Sequence, residues 1–353
     1  MKRPLPTAAV AVAAVFGAVV LFALPAAAQN IENLPRQSPA ASVSQRIGVA
    51  DVEIRYHRPA INNREVWGAL VPYGEVWRAG ANDNTTITLS APAKVEGKDL
   101  PAGTYGLHMI PTEDEWTVIF STNSTSWGSF TYDQAEDALR VTVRPEKAPY
   151  AEQLAYGFED VSNTGAVAVL HWEELKVPFE ITFDTHALAL AEIRRQLRHL
   201  PQFGWQGWLS AAGYLVNSDV EHEQALEWVD RSISMNRNGQ NLGLKFRLLQ
   251  QLERGEEAKA VLAEALEVSD EAQTNQIGYT LMFAGDVDTA LQVFQKNVDD
   301  YPASWNVYDS LGEAYATKGD PARARELYQK ALSMAPEDQH PRIQGVLSNL
   351  AAE

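Results

Sequence analysis

The stretch that decides the fold of the C-terminal half is WNVYDSLGEAYATKGDPARARELYQKALSMAPED, residues 305–338. This run of 34 residues carries Tyr308, Leu311-Gly312, Tyr315, Gly319, Ala324, Tyr328, Ala331 and Pro336. A shift of 34 residues upstream, over 271–304, lands on Ile277-Gly278, Leu281, Gly285, Ala290, Phe294 and Pro302. The two registers agree at a glycine after Leu or Ile, a turn glycine, an alanine, an aromatic and a proline. Self-similarity at such a period predicts stacked supersecondary units that bury a continuous core only together.

Each residue type has a physical task in a helical hairpin. Gly312 and Ala324 are small where two helices meet closely, and Gly319 permits the turn between them. Tyr315 and Tyr328 fill the groove between neighbouring units, and Pro336 ends the second helix. The pattern resembles the tetratricopeptide repeat. Gly255 with Ala258, Leu262 and Ala265 resembles a degenerate unit, as does Gly213-Tyr214 with Ala225-Leu226 and Val229. Three to four units follow, with 340–353 expected as a capping helix. Such stacks present a concave surface suited to a protein or peptide partner; bracing of the rest of the chain is the plainer role.

Upstream of the repeats the period is two. Ile47 and Val49, then Val52, Ile54 and Tyr56, alternate with polar residues, and a phase slip near Ala50-Asp51 predicts a hairpin turn. Further β-like runs are 86–89, 94–100 with a Gly-centred turn, 104–110, 115–121, 139–143, 154–158, 166–172 and 179–183. Eight or more short strands without intervening helical patterns predict an all-β antiparallel sandwich, jelly-roll-like, over 43–186. Thr185 is the expected N-cap of the first helix, and everything over 187–353 reads as helical.

The first 28 residues form an expected signal peptide. Lys2 and Arg3 precede an apolar run from Ala8 to Leu24, Pro25 breaks it, and Ala26-Ala27-Ala28 offers small residues before a cut at Gln29. An uncleaved anchor helix is the competing reading. Residues 29–42 read as an exposed leader. The expected location is the periplasm, or outside the cell, of a Gram-negative-type bacterium. Cleavage takes the formal net charge from −17 to −19, since the segment holds two positive and no negative charges. That acidity argues against nucleic acid, which needs clustered Lys and Arg. The absence of cysteine excludes disulfides, thiolate metal sites and a cysteine nucleophile.

One stretch is denser than a core requires: Arg58-Pro59, Asn62-Asn63-Arg64, Trp67-Gly68, Leu70-Val71-Pro72-Tyr73-Gly74, Val76-Trp77-Arg78 and Gly80-Ala81-Asn82-Asp83. With Leu100 to Tyr105, Glu115 to Phe120 and Trp127-Gly128, it resembles a bacterial domain-of-unknown-function family, number two-nine-one-one. The signature LVPYG-x-VWR-x-GAN carries the resemblance, which extends over about 36–184. Ala79 stands where the family suggests a threonine. The resemblance implies a β domain, often exported and sometimes followed by tetratricopeptide repeats, and it implies no activity.

The residues themselves suggest a ligand site. Arg55, Arg58, Arg64 and Arg78 lie among Tyr56, Trp67, Tyr73 and Trp77 in an acidic chain. Guanidinium forks recognise carboxylate or phosphate, and tryptophan faces suit sugar rings. The ligand-binding candidates are Arg58, Arg64, Trp67, Trp77, Arg78, Asn82 and His108, for a small anionic or glycan-like ligand. The plainer reading makes the tryptophans core and ties the arginines to carboxylates such as Asp51, Asp83 or Glu65. His57, His108 and His171 lie on or beside strands without a metal-ligand spacing, so no metal and no cofactor are expected. No G-x-S-x-G, P-loop, dinucleotide or H-E-x-x-H motif is present, and Ser126, Ser129 and Thr131 have no obvious base partner in sequence. The expectation is an exported, non-catalytic binding and scaffold protein. The alternative is an exported enzyme acting on a glycan or small ester through the 57–83 loop, with His57 or His108 as acid/base.

Overall fold

The computed structural model describes residues 35–350; the expected signal peptide and residues 29–34 of the expected leader lie outside them. The chain divides into two compact units between Phe183 and Asp184.

Among its described residues the first unit holds ten strands: β1 Ala40–Ile47, β2 Ala50–His57, β3 Thr86–Leu89, β4 Ala93–Val95, β5 Lys98–Leu100, β6 Gly103–Ile110, β7 Trp116–Ser121, β8 Asp137–Val143, β9 Glu146–Glu159 and β10 Gly165–Thr182. They form two antiparallel sheets, ordered β1-β2-β3-β6-β7-β8 and β5-β4-β10-β9. The larger is a meander from which the β4–β5 hairpin departs to the smaller. Trp116 and Phe120 of β7 and Trp172 and Phe179 of β10 are the largest fully buried side chains of this unit. Phe120 and Phe179 meet edge-to-face at 6.0 Å, which joins the inner faces of the two sheets.

Three details differ from the sequence reading. Strand β1 starts at Ala40, inside the expected leader. The first hairpin turns at Gly48-Val49, because Ile47 pairs with Ala50 and Gly48 takes the positive φ of 56° that a tight turn needs. Val49 is therefore a turn residue, 40% exposed, and the inward set is Ala50, Val52, Ile54 and Tyr56. Finally, the runs 166–172 and 179–183 are parts of a single strand of 18 residues. Glu173-Glu174 interrupts its apolar pattern at a bulge, where Glu173 has φ 56° and the register with β9 shifts on either side. The extra residues of β9 turn to another partner, and Ala60 bridges Gln153.

The second unit is helical: α1 Thr185–Gln196, α2 Trp205–Ser218, α3 His222–Met235, α4 Gly239–Gln251, α5 Gly255–Val268, α6 Glu271–Phe283, α7 Val287–Asp300, α8 Trp305–Lys318, α9 Pro321–Met334 and α10 His340–Asn349. Helices α2 to α9 make four hairpins, and this unit is a tetratricopeptide-repeat solenoid. Asp184, one residue before the expected Thr185, caps α1, its carboxylate accepting from Ala187 N at 3.0 Å. The small residues act as the spacing required. A Cβ at Gly278 would lie 2.5 Å from Phe294, and one at Gly312 3.3 Å from Tyr328. Ala290, Ala324 and Ala331 are fully buried. Pro302 and Pro336 follow the ends of α7 and α9. Tyr315 is half-buried and packs against the cores on both sides of it.

The degenerate units share a feature that composition hides. Gly285 and Gly319, with φ 87° and 86°, sit in the interhelix turns of the two clear repeats; Asp219 (55°) and Glu253 (57°) occupy the corresponding turns upstream. The geometry is the same, held by residues that meet steric crowding there. The turn glycine is thus dispensable to the hairpin while the left-handed conformation is not.

Candidate functional site

The expected site residues fall into three groups. Trp67 and Trp77 belong to the core: Trp67 lies 4.9 Å from Trp116 and 5.6 Å from Trp172, edge-on, and Trp77 stacks on Trp172 at 6.0 Å. Both are half-buried and join Trp116 and Trp172 in one aromatic cluster. Arg58 and Arg64 are engaged by the main chain. Arg58 Nε donates to Leu154 O at 2.9 Å, while Arg64 Nε and Nη2 donate to Ile61 O and Ala60 O at 2.9 and 2.6 Å. Arg58 ties the 58–64 loop to the bulged β9, and Arg64 closes the loop on itself. Asn82, at φ 57°, donates from Nδ2 to Ser38 O at 3.0 Å.

The carboxylates named as arginine partners are engaged elsewhere or not at all. Asp51 pairs with Arg46 at 3.6 Å, and Asp83 with Arg36 at 3.2 Å and His57 at 3.6 Å. Arg55 pairs with Glu53 on the surface at 3.0 Å. His57 is buried and titrates below its ordinary range, chiefly by desolvation, with Asp83 raising it and Arg36 lowering it. His171 contacts the Pro149 carbonyl at 2.7 Å.

Arg78 and His108 remain, and the fold brings them to one loop. The Arg78 guanidinium lies beside Gly128, where a Cβ would overlap Nη1, and 5.9 Å from the Phe130 ring. Its Nε is buried without a hydrogen-bond partner, and burial lowers its pKa. The backbone holds it there under strain. Ala79, fully buried, sits at φ 48°, and its carbonyl accepts from Thr85 Oγ1 and Tyr156 Oη at 3.3 and 2.9 Å. Trp77 extends β6 beyond β3 by exchanging both main-chain hydrogen bonds with Met109 at 2.8 Å.

His108 is 2% exposed on β6. Its Nδ1 lies 2.8 Å from Ser129 Oγ, and desolvation brings its pKa down to about 4 against a weaker opposing pull from Asp137. The ring is therefore neutral at pH 7, and in the tautomer that carries its proton on Nε2 the Nδ1 accepts a hydrogen bond from the serine hydroxyl. Tyr132 stands edge-on to it at 5.4 Å and donates to Asp137 Oδ2 at 2.7 Å; Arg140 also pairs with Asp137. Next door, Gly106 allows a close approach no other residue would. A Cβ there would run into the Asn123 carbonyl, Asn84 Nδ2 at 2.5 Å and His108 Nε2 at 3.3 Å. Asn84 bonds the loop twice, through its N–H to Ser126 O at 3.3 Å and Nδ2 to Asn123 O at 3.1 Å. Its Oδ1 is buried without a partner.

No base partner for Ser129 is legible in the sequence, because His108 lies 21 residues away across a strand and a loop, a separation that no motif encodes. The flanking aromatics carried a weak signal: Trp127 and Phe130, either side of Gly128-Ser129, are 56% and 82% exposed. An open groove of about 640 Å³ on the outer face of the larger sheet, lined by Ser42, Glu53, Arg55, His57, Asp83 and Thr86, ends at Asn84. Among the described residues no group of three or more His, Cys, Asp or Glu is placed to hold a metal ion.

In the helical unit, a second concavity of about 190 Å³ lies between α4 and α6, the first helices of adjacent hairpins. Gly239, where Ser269 and Gln273 take the place of a side chain, and Gly243 line it, Ile277 and Leu244 supply apolar surface, and Gln240, Gln273, Gln276 and Thr280 supply amides and a hydroxyl. Arg247 also lines it, donating to Asn217 Oδ1 while its Nε is buried without a partner. Among the described residues no helix is long and apolar enough to cross a membrane.

Residues 38–181 match the model of a family described as protein of unknown function (DUF2911), and residues 305–338 match the tetratricopeptide repeat. No curated protein matches the chain. Similar solved structures include MamA, at 17% identity over 41% of this chain and 86% of that one, with a TM-score of 0.31. YrrB, described as a TPR protein with an unusual peptide-binding site, shares 23% identity over 43% of this chain and 78% of its own, with a TM-score of 0.29. TTC0263, a thermophilic TPR protein of Thermus thermophilus, shares 21% identity over 48% of this chain and 92% of its own, with a TM-score of 0.34.

Proposed function

We propose that this chain, a β domain of the DUF2911 type joined to tetratricopeptide repeats, is an exported binding and scaffold protein. Its repeats engage a peptide segment of a protein partner, and its β domain holds a small anionic ligand. The observation that carries the first part is the α4–α6 concavity. The absent side chain at half-buried Gly243 leaves room beside Ile277, and the glutamine amides match a peptide's donors and acceptors. Arg247 supplies a charge for a carboxylate. For the β domain, the support is Arg78, a half-buried cation with no carboxylate partner among the described residues. Location in the periplasm or outside the cell rests on the N-terminal sequence alone.

The test is peptide display against the full chain, repeated with Gly243→Leu, which fills the concavity. Selected peptides are expected to lose at least tenfold in affinity on that change, about 1.4 kcal/mol. Peptides that bind both forms equally, or no selection at all, refute the groove as the site. Mass spectrometry of the protein recovered from fractionated cells tests export: the expected mature N-terminus is Gln29, and an intact Met1 form confined to the cytoplasm refutes it.

A further inference from the structure

We propose that Ser129 is a nucleophile and His108 its general base, together hydrolysing small esters that carry a carboxylate on the acyl side. This rests on the anionic-ligand reading of Arg78 and goes beyond it by assigning a reaction.

Four observations converge on the Gly128–Phe130 segment. The Ser129 hydroxyl is within hydrogen-bond reach of His108 Nδ1 at 2.8 Å, the geometry required of a nucleophile and base. The imidazole is nearly fully enclosed while the serine is partly exposed. The base is thus sheltered from water and the nucleophile is open to a substrate. The Arg78 guanidinium abuts Gly128, one residue from the nucleophile, with no carboxylate partner among the described residues. Trp127 and Phe130, both exposed, flank the serine and offer apolar surface. A structural role for the histidine requires neither the unpaired cation nor the exposed aromatics.

The reaction balances without a cofactor. Ser129 Oγ attacks the ester carbonyl carbon as its proton passes to His108 Nδ1, giving a tetrahedral oxyanion. The C–O bond to the leaving alcohol then breaks, and the alkoxide takes the proton from His108. Water attacks the acyl-serine carbonyl as its proton passes to His108; the C–Oγ bond then breaks, Oγ takes the proton back from His108, and the carboxylic acid leaves with Ser129 restored. The substrate's own carboxylate is held by Arg78, so the acyl group is dicarboxylic, with the ester at one end. No carboxylate orients the second nitrogen of His108 among the hydrogen bonds of the site, so this is a dyad; Asp137 is bonded to Tyr132 and Arg140 instead.

Two probes test the reaction in the full-length protein: a fluorophosphonate, read by mass spectrometry, and mono-(4-nitrophenyl) succinate, read by release of nitrophenolate. The expected results are a fluorophosphonate adduct on Ser129 that is lost in His108→Gln, and nitrophenolate release lowered at least 100-fold in Ser129→Ala and in His108→Gln. Arg78→Met is expected to raise KM for the succinate ester at least tenfold more than it raises that for neutral 4-nitrophenyl butyrate. Circular dichroism identifies any variant that fails to fold; Ser129→Cys, which keeps a nucleophile of similar size, then serves in place of Ser129→Ala through its alkylation by iodoacetamide in a His108-dependent way. Calorimetric titration of Ser129→Ala with the succinate ester separates the two claims. If that variant binds the ester and the wild type does not hydrolyse it, catalysis is overturned and the anion site stands. If neither binds it, both are overturned. An adduct on another residue, or one on Ser129 that persists in His108→Gln, also overturns the dyad.

Discussion

Acidification is the perturbation to which the β domain is expected to respond most, through His108. The ring is enclosed at 2% exposure, its Nδ1 engaged by Ser129 at 2.8 Å. Desolvation brings its pKa from 6.5 to about 4, the nearby charge of Asp137 opposing only in part. An unfolded chain takes up this proton near pH 6.5, the folded one only near pH 4. The contribution of the neutral ring to stability is therefore complete above pH 6.5 and is lost as pH falls through 4. At about 1.4 kcal/mol per pKa unit, the full loss is roughly 3 kcal/mol, a large part of a domain's stability. His57, lowered mainly by the same desolvation, acts with the same sign, so His57→Gln is the control. The assay has two arms. Imidazole carbon NMR, assigned with His108→Gln, is expected to show a His108 midpoint near 4. Urea unfolding at pH 7 and pH 4.5 is expected to show the wild type losing roughly 2 kcal/mol more than His108→Gln across that interval. A His108 titration at pH 6 or above, or equal losses in both proteins, refutes the burial argument.

Three further outcomes follow from packing and backbone geometry. Trp172→Ala removes a ring 1% exposed that touches both Trp67 and Trp77; urea unfolding is expected to show the β domain less stable by about 3–5 kcal/mol. Gly278→Ala places a Cβ 2.5 Å from Phe294, whereas Gly312→Ala places one 3.3 Å from Tyr328. The first is expected to cost about 1–3 kcal/mol in thermal melts and more than the second. Glu253→Gly relieves a side chain held at φ 57°, so the melting temperature of the repeats is expected to rise, by up to about 1 kcal/mol in stability. An unchanged or lower melting temperature refutes the strain.

The repeats were legible because their contacts are local. Gly278 meets Phe294 and Gly312 meets Tyr328 inside one hairpin, so the same residue types must recur every 34 positions. The two upstream hairpins were fainter because Asp219 and Glu253 adopt the left-handed turn without advertising it. In the β domain, alternation revealed most strands but not their partners. Nothing in the Lys94 to Leu100 run says that β4 pairs with β10, more than eighty residues later along the chain.

What the sequence by itself determined was the two-part design, the repeat register and the 57–83 segment as unusual. What only the tertiary structure decided was the use of that segment: Trp67 and Trp77 went to the core, Arg58 and Arg64 to carbonyls, and Arg78 to a place beside Gly128. It also set His108 against Ser129. Helical contacts are dictated by a short period that any window of the chain displays. A sheet and its loops join residues by long-range pairing, and the bulge in β9, the strained Ala79 and the bare Gly106 that create this site have no period to read.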